Sequence, residues 1–345
     1  MVMLEKFKKD IDTGLNSILK EAVPDFSLRT IPLLYQGIQD FITRPGKRIR
    51  PILFLISYHG YTKRREFSYD KLVKSSLSLE LLHDFLLIHD DIIDNSNLRR
   101  GRPTLHRLFN SKIGSLKNRL CENLSIVAGD VLFSLAVKAL LLSDEDISRK
   151  ERAVIKFTET ALLTGMGEFI DVLNDTKKIE QIKEKDVLLT NTLKTTKYTF
   201  EGPLLIGALL AGAKKHEITK LSKMSHLLGQ AFQLRDDLLD IFSSSKKIGK
   251  PILSDLNESK KTLLVWRTFQ RLSKKDKKQF ARLLEKNKKT YKDLLALREL
   301  IKITGADEYC RQKIQSLIVE ADEICSRLNM SQKYKTSLKQ LIQKL

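Results

Sequence analysis

Apolar residues return every three or four positions along nearly the whole chain, as in Leu77, Leu81, Leu82, Phe85 and Ile88, and again in Leu227, Leu228, Ala231, Leu234 and Leu238. That interval brings them to one side of an α-helix, whereas the two-residue alternation of a half-buried strand is scarce. The pattern predicts long helices joined by short basic loops, with breaks at "TRPGKRIRP", "NSNLRRGRP", "TKKIEQIKEKD" and "SSSKKIGKPILSD". The opening stretch "MVMLEKFKKDIDTGLNSILKEAV" mixes charged and apolar residues at helical spacing. It has neither the uninterrupted apolar run nor the small-residue cleavage site of a secretory signal, so it is predicted to be the first helix. No apolar run approaches the ~18 residues needed to cross a bilayer. "GPLLIGALLAGA" (202–213) and "VLFSLAVKALLLS" (131–143) have the length of buried helices, and Lys138 interrupts the second. No transmembrane segment is expected. With no fixed-period repeat and no low-complexity linker, residues 1–345 are expected to form a single all-α domain.

Composition sharpens this picture chiefly through charge. A chain of 345 residues with 42% hydrophobic content can bury a large core. Its 62 Lys plus Arg against 42 Asp plus Glu leave a formal charge of +20, which favours nucleic acid, acidic membrane or phosphorylated small molecules as partners. The lysine-rich stretches at 174–186 and 271–293 read as solvated helix faces or loops. Cys121, Cys310 and Cys325 have no CxxC pair among them, so no disulfide framework or zinc site is expected, and a reducing cytoplasm suits the chain.

The chemistry is concentrated in two acidic turns. "HDDIID" places Asp90 and Asp94 one helical turn apart with Asp91 beside them, at the end of an apolar run. One such patch is accounted for by a solvated helix end. The repetition of DDxxD at Asp236, Asp237 and Asp240, again after an amphipathic stretch, is not. Hard divalent cations such as Mg²⁺ take oxygen ligands, one or two carboxylates each, and complete their shells with water and phosphate. Two such turns could hold several Mg²⁺ around one diphosphate. The scarcity of Cys and His near them argues against zinc or a redox metal. Basic clusters supply the anion-binding half: Lys47, Arg48 and Arg50; Arg99, Arg100 and Arg102; Lys194 and Lys197; Lys246, Lys247, Lys250, Lys260 and Lys261. That is more cationic material than one diphosphate needs, so two anionic substrates are expected.

In order along residues 40–270, "PGKRIRP", "LLHDFLLIHDDIID", "LRRGRPTLH", "AGDVLFSLA", "KTTKYTFEGPLLIGALLAG", "GQAFQLRDDLLD" and "GKPILSDLNESKKTL" resemble the trans-isoprenyl diphosphate synthases, the polyprenyl synthetase family. The resemblance implies an all-α isoprenoid synthase fold of roughly ten core helices around a deep central cavity, usually as a homodimer. It implies a Mg²⁺-dependent prenyltransferase that condenses isopentenyl diphosphate head to tail with an allylic diphosphate. On that resemblance Asp90, Asp94, Asp236 and Asp240 match metal ligands, while direct ligation by Asp91 and Asp237 is less expected. Lys47, Arg50, His83 and Arg100 match the isopentenyl diphosphate site, and Arg99, Lys194, Lys250 and Lys260 the allylic diphosphate site. Thr195 and Gln233 match polar groups beside the reacting carbon. Apart from the resemblance, His83 reads as a satisfied core histidine.

The chain should grow along the helix carrying Asp90, where Phe85 and Leu86 stand five and four residues upstream as a floor. An aromatic residue there, without an insertion in the aspartate motif, resembles the short-chain synthases that make geranylgeranyl diphosphate, with farnesyl diphosphate or longer products as alternatives. Phe85 also reads as ordinary core packing. Pro45-Gly46, Leu253 and Glu258-Ser259-Lys260 depart from the family pattern and bear on loop geometry. A class I terpene cyclase would not need Lys47, Arg50 and His83. A non-catalytic subunit would be expected to lose aspartates. A basic nucleic-acid-binding protein would leave both acidic turns unexplained.

Overall fold

A computed structural model describes residues 2–21, 27–114, 119–242, 260–286 and 288–343. The chain is helical almost throughout, and it divides into two compact units: residues 1–159, 202–218 and 329–338, and residues 160–201, 219–328 and 339–345.

In the first unit, α1 (Val2–Ser17) buries Leu4, Phe7, Ile11 and Leu15, the helical stripe expected of the opening stretch. Helices α2 (Pro32–Ile42) and α3 (Ile49–Tyr61) lead to α4 (Tyr69–Ile93), whose N-cap Ser68 accepts the amide of Lys71 at 3.3 Å. From Ser75 to Asp84 every residue of α4 is buried, so this helix is enclosed on all sides. Two of its buried serines bond within the helix, Ser76 and Ser78 donating to the carbonyls of Val73 and Ser75, while the Ser75 hydroxyl has no hydrogen-bond partner among the described residues.

The loop after α4 contains a short hairpin that periodicity did not reveal. Leu98–Arg99 (β1) pairs antiparallel with Arg102–Pro103 (β2) through Arg100 and Gly101, both at positive φ. Positive φ at both turn positions is what a two-residue hairpin matching the right-handed twist requires. Buried Arg44 fastens this hairpin to α2, donating to the Pro103 carbonyl at 2.8 Å and to Asp40 at 2.7 Å. After α5 (Leu105–Ile113), α6 (Leu120–Leu140) packs along α4 and buries Cys121, Ser125, Ala128, Leu132, Leu135 and Ala139. Among the described residues α6 is long and apolar enough to cross a membrane, with mean hydropathy 1.6 over its best window. Glu122, Asp130 and Lys138 interrupt it, so no uninterrupted apolar run in it reaches ~18 residues, and it packs along α4 as a core helix does.

The second unit holds the end of α7 (Ile147–Asp175), α8 (Glu184–Asn191), a π-helical stretch (Thr192–Glu201), most of α10 (Lys215–Phe242), α11 (Leu263–Arg271), α12 (Lys274–Leu284), α13 (Tyr291–Ile303) and α14 (Ala306–Ser326). Helix α9 (Gly202–Leu210) returns to the first unit, and α15 (Gln332–Ile342) follows α14. The π stretch is wider than an α-helix, a local form concentrated at functional sites. Glycines let its neighbours come close: a Cβ at Gly167 would lie 2.3 Å from the Lys194 amide nitrogen, and one at Gly229 2.3 Å from Thr196 Oγ1.

Candidate active site

In the first unit, α3, α4 and the hairpin assemble a cluster of basic side chains around His83. The His83 ring is buried and its Nε2 lies 3.4 Å from Arg100 Nη2. Burial, then the positive charges of Arg50 and Arg100, hold its pKa well below the ordinary histidine value, so the imidazole is neutral. Gly46 adjoins the Arg100 guanidinium, and exposed Lys47 follows it. The structure thus brings together Arg50, His83 and Arg100.

Arg48, grouped with Lys47 and Arg50 by sequence, has a different fate. Capping α3 at φ +52°, it points into the core and is saturated: Nη1 to Glu80 at 2.7 Å, Nε to Asp12 at 2.8 Å, and Nη2 to the carbonyls of Ile42 and Arg44. It is a structural cation, which corrects its inclusion among the phosphate-binding groups. One turn after Glu80 lies Asp84, fully buried and without a hydrogen bond to either carboxyl oxygen among the described residues. Burial and the Glu80 carboxylate push its pKa up to about 8, against the opposing charges of Arg100, Arg48 and Arg50.

Arg99 forks across the first aspartate motif, with Nε 2.7 Å from Asp91 Oδ1 and Nη2 2.9 Å from Asp90 Oδ2. Asp91 is buried, so its structural work is to hold Arg99. Asp94 caps α4 and is half-buried. Below the motif, the Phe85 ring lies 4.6 Å from the His89 ring and 5.3 Å from that of Phe133 on α6. Phe133 is in turn backed by Phe157 at 6.2 Å, while Leu86 is half-buried.

The second unit contains a cavity of about 490 Å³ lined by Lys194, Thr195, Gln233, Asp236, Asp240 and Lys260, six of the residues singled out from sequence. The π stretch supplies the first two, α10 the next three. Thr195 donates to Gln233 Oε1 at 2.8 Å, and Gln233 donates from Nε2 to Asp237 Oδ1 at 2.9 Å. Asp237 is buried; burial, opposed by the Gln233 hydrogen bond and reinforced by Asp240 and Asp236, pushes its pKa up to about 7. Lys250 lies outside the described residues, as do Lys246, Lys247, Leu253, Glu258 and Ser259.

The same cavity exposes residues that sequence reasoning missed. Lys194 is clamped between Asp171 at 2.7 Å and Glu168 at 2.8 Å. Asp175 lines the cavity too, and its carbonyl accepts from Lys261 at 2.9 Å. The spacing of Glu168, Asp171 and Asp175 by three and four residues puts them on one face of α7, a signal as legible as either aspartate motif. The cavity's donor set is therefore all oxygen, suited to Mg²⁺ that takes one or two carboxylates and the rest of its shell from phosphate and water. Among the described residues no three His, Cys, Asp or Glu side chains converge to hold an ion unaided.

Comparison with known proteins gives this arrangement its class. A family model for polyprenyl synthetase matches residues 31–301, and the chain belongs to that family. It is a prenyltransferase with the all-α isoprenoid synthase fold, acting in short-chain trans-prenyl condensation. A geranylgeranyl diphosphate synthase of Sulfolobus acidocaldarius is 30% identical over 328 residues, covering 92% of each chain. A short chain isoprenyl diphosphate synthase of Methanothermobacter thermautotrophicus is 31% identical, covering 90% of this chain and 86% of its own. The solved geranylgeranyl pyrophosphate synthase of Corynebacterium glutamicum, complexed with isoprenyl diphosphate and magnesium, superposes with a TM-score of 0.89 at 27% identity and covers 98% of both chains.

Proposed function

We propose that the chain adds isopentenyl diphosphate to an allylic diphosphate to make geranylgeranyl diphosphate, with Mg²⁺. The observation that carries this reading is the second-unit cavity, where Lys194, Lys260, Asp236 and Asp240 converge with the Thr195–Gln233 pair. Lys194, Lys250, Lys260 and Arg99 bind the allylic diphosphate. Asp90, Asp94, Asp236 and Asp240 hold the Mg²⁺, whose chemistry is to neutralise charge on the departing diphosphate. Glu168 and Asp171 keep the Lys194 ammonium oriented at the cavity wall. Because Thr195 spends its proton on Gln233, its remaining lone pairs offer an oxygen dipole to the carbon that becomes cationic.

Lys47, Arg50, His83 and Arg100 bind isopentenyl diphosphate. A neutral His83 donates a hydrogen bond to the diphosphate without further self-repulsion among the arginines. The double bond attacks the allylic cation, and the proton then leaves to the departed diphosphate. Phe85, backed by Phe133 and Phe157, limits the product to twenty carbons, in keeping with the names of the relatives. A second copy covers the exposed stripe of Leu162, Met166, Phe169 and Leu173 on α7, giving a homodimer with twice the chain mass in sedimentation. Three free, buried thiols suit a cytoplasmic setting.

The test is incubation of the purified chain with Mg²⁺, labelled isopentenyl diphosphate and dimethylallyl, geranyl or farnesyl diphosphate in turn. Each primer is expected to end as geranylgeranyl diphosphate, with turnover abolished by a chelator. Absence of any elongated diphosphate, or a cyclic hydrocarbon in its place, would overturn the reading.

A further inference from the structure

The condensation does not use the charge concentrated at the end of the second unit. Residues 271–293 carry ten basic side chains against three acidic ones, a net +7 of the chain's +20. Three of them, Lys274, Lys278 and Arg282, follow one another at four-residue steps along α12 and are exposed. Among the described residues none of the three is within 4.0 Å of a carboxylate, so this row repels itself.

The next helix adds a different chemistry. Along α13, Tyr291, Leu295 and Ile303 share a face at steps of four and eight and are 56%, 46% and 72% exposed. Exposed Lys292 and Lys302 stand among them, with exposed Glu299 midway between Leu295 and Ile303, so these charges leave the stretch a net +1. A surface with an aromatic ring, aliphatic side chains and lysines is the composition of a segment that lies at a bilayer interface. A phosphate backbone would recruit the cations but gains nothing from Leu295 and Ile303.

We propose that the outer surface of α12 and α13 is a docking site for an anionic phospholipid bilayer. Charge complementarity supplies the long-range attraction and the three apolar side chains the insertion. The buried sides of the same helices place Leu284, Leu294 and Leu297 in the wall of the cavity that holds Lys194 and Asp236. Docking therefore brings that cavity beside lipid. A prenyl diphosphate, an anionic head on a long hydrocarbon tail, is an amphiphile that partitions into such a surface. That last point rests on the proposed product, whereas the binding itself does not.

The experiment is co-sedimentation of the full chain, without substrates, with vesicles of phosphatidylcholine alone or containing about a third phosphatidylglycerol. Because no turnover is read, its failure is separate from failure of the product assignment. Binding is expected only to the anionic vesicles. Reversing the row (Lys274→Glu, Lys278→Glu, Arg282→Glu) should weaken it by at least on the order of a hundred-fold, at about five-fold per cation lost before the new carboxylates repel the surface. The equal reversal Lys9→Glu, Lys63→Glu, Arg65→Glu, at exposed positions on neither α12 nor α13, should weaken it less than about ten-fold, since those cations are not part of the proposed surface. Leu295→Ser with Ile303→Ser should remove the binding that survives high salt. Circular dichroism and condensation with soluble substrates establish that each variant is folded. No binding to anionic vesicles, or equal loss in both charge-reversal variants, would overturn the proposal. Displacement from vesicles by random-sequence RNA at equal phosphate would assign the surface to nucleic acid and overturn it likewise.

Discussion

Gly167→Ala isolates the contact that sets the depth of Lys194 in the cavity. The new methyl carbon would lie 2.3 Å from the Lys194 amide nitrogen and 2.7 Å from the Leu193 carbonyl carbon. These are backbone atoms, so no side-chain rotation relieves the clash. Restoring ordinary contact, from 2.3 to 3.4 Å, moves the π stretch by about 1.1 Å. Overpacking of this kind destabilises by about 1–3 kcal/mol, of which alanine's better helix propensity returns up to about 1. The larger effect is on catalysis. A displacement of ~1 Å in a positioning element can lower rate on the order of 100-fold, and it falls on Lys194 and Thr195, assigned to the allylic substrate. Steady-state kinetics with each substrate varied in turn should show a raised allylic KM and a lowered kcat, with the KM for isopentenyl diphosphate within about two-fold. The control is Gly165→Ala, two residues earlier on the same helix, where an added Cβ meets nothing within 4 Å. It should leave kinetics unchanged and raise stability by about 0.5–1 kcal/mol. Gly167→Ala keeping its allylic KM and kcat, or Gly165→Ala losing them equally, would refute this role for Gly167.

Other outcomes follow from the same geometry. Phe85→Ala should give products longer than twenty carbons by chromatography and lower stability by about 1–3 kcal/mol, because Phe85 is only half-buried; an unchanged product would refute its role as floor. Glu80→Ala should cost about 3 kcal/mol in urea unfolding by leaving the buried Arg48 without its closest carboxylate, and a loss under 1 kcal/mol would contradict the account of that pair. Asp84 carries a proton in the folded chain up to about pH 8 that the unfolded chain releases near 3.8. Stability should therefore fall as pH rises between those values and level off above them, as the buried carboxylate ionises. Asp84→Asn removes that slope and should be more stable than the parent at pH 9, by a few kcal/mol at most; parallel stability–pH curves for the two would count against the assignment.

Much of this protein was legible before any fold was known. The three-and-four spacing identified α1, α4 and α10, and repetition of DDxxD at helix ends pointed to magnesium and phosphate, because periodicity and helix pitch decide which side chains share a face. The same rule covers Glu168, Asp171 and Asp175, a face that went unread because its acids are not contiguous. Other features depend on partners dozens of residues away, which local spacing does not encode. Arg48 and Arg50 look alike in "GKRIRP", yet a left-handed cap turns the first into the core against Glu80 and Asp12. Phe85 acquires its backing only where α4 and α6 bring it to Phe133. The depth of Lys194 rests on a glycine 27 residues earlier, since only the packed helices reveal that a side chain at Gly167 has nowhere to go.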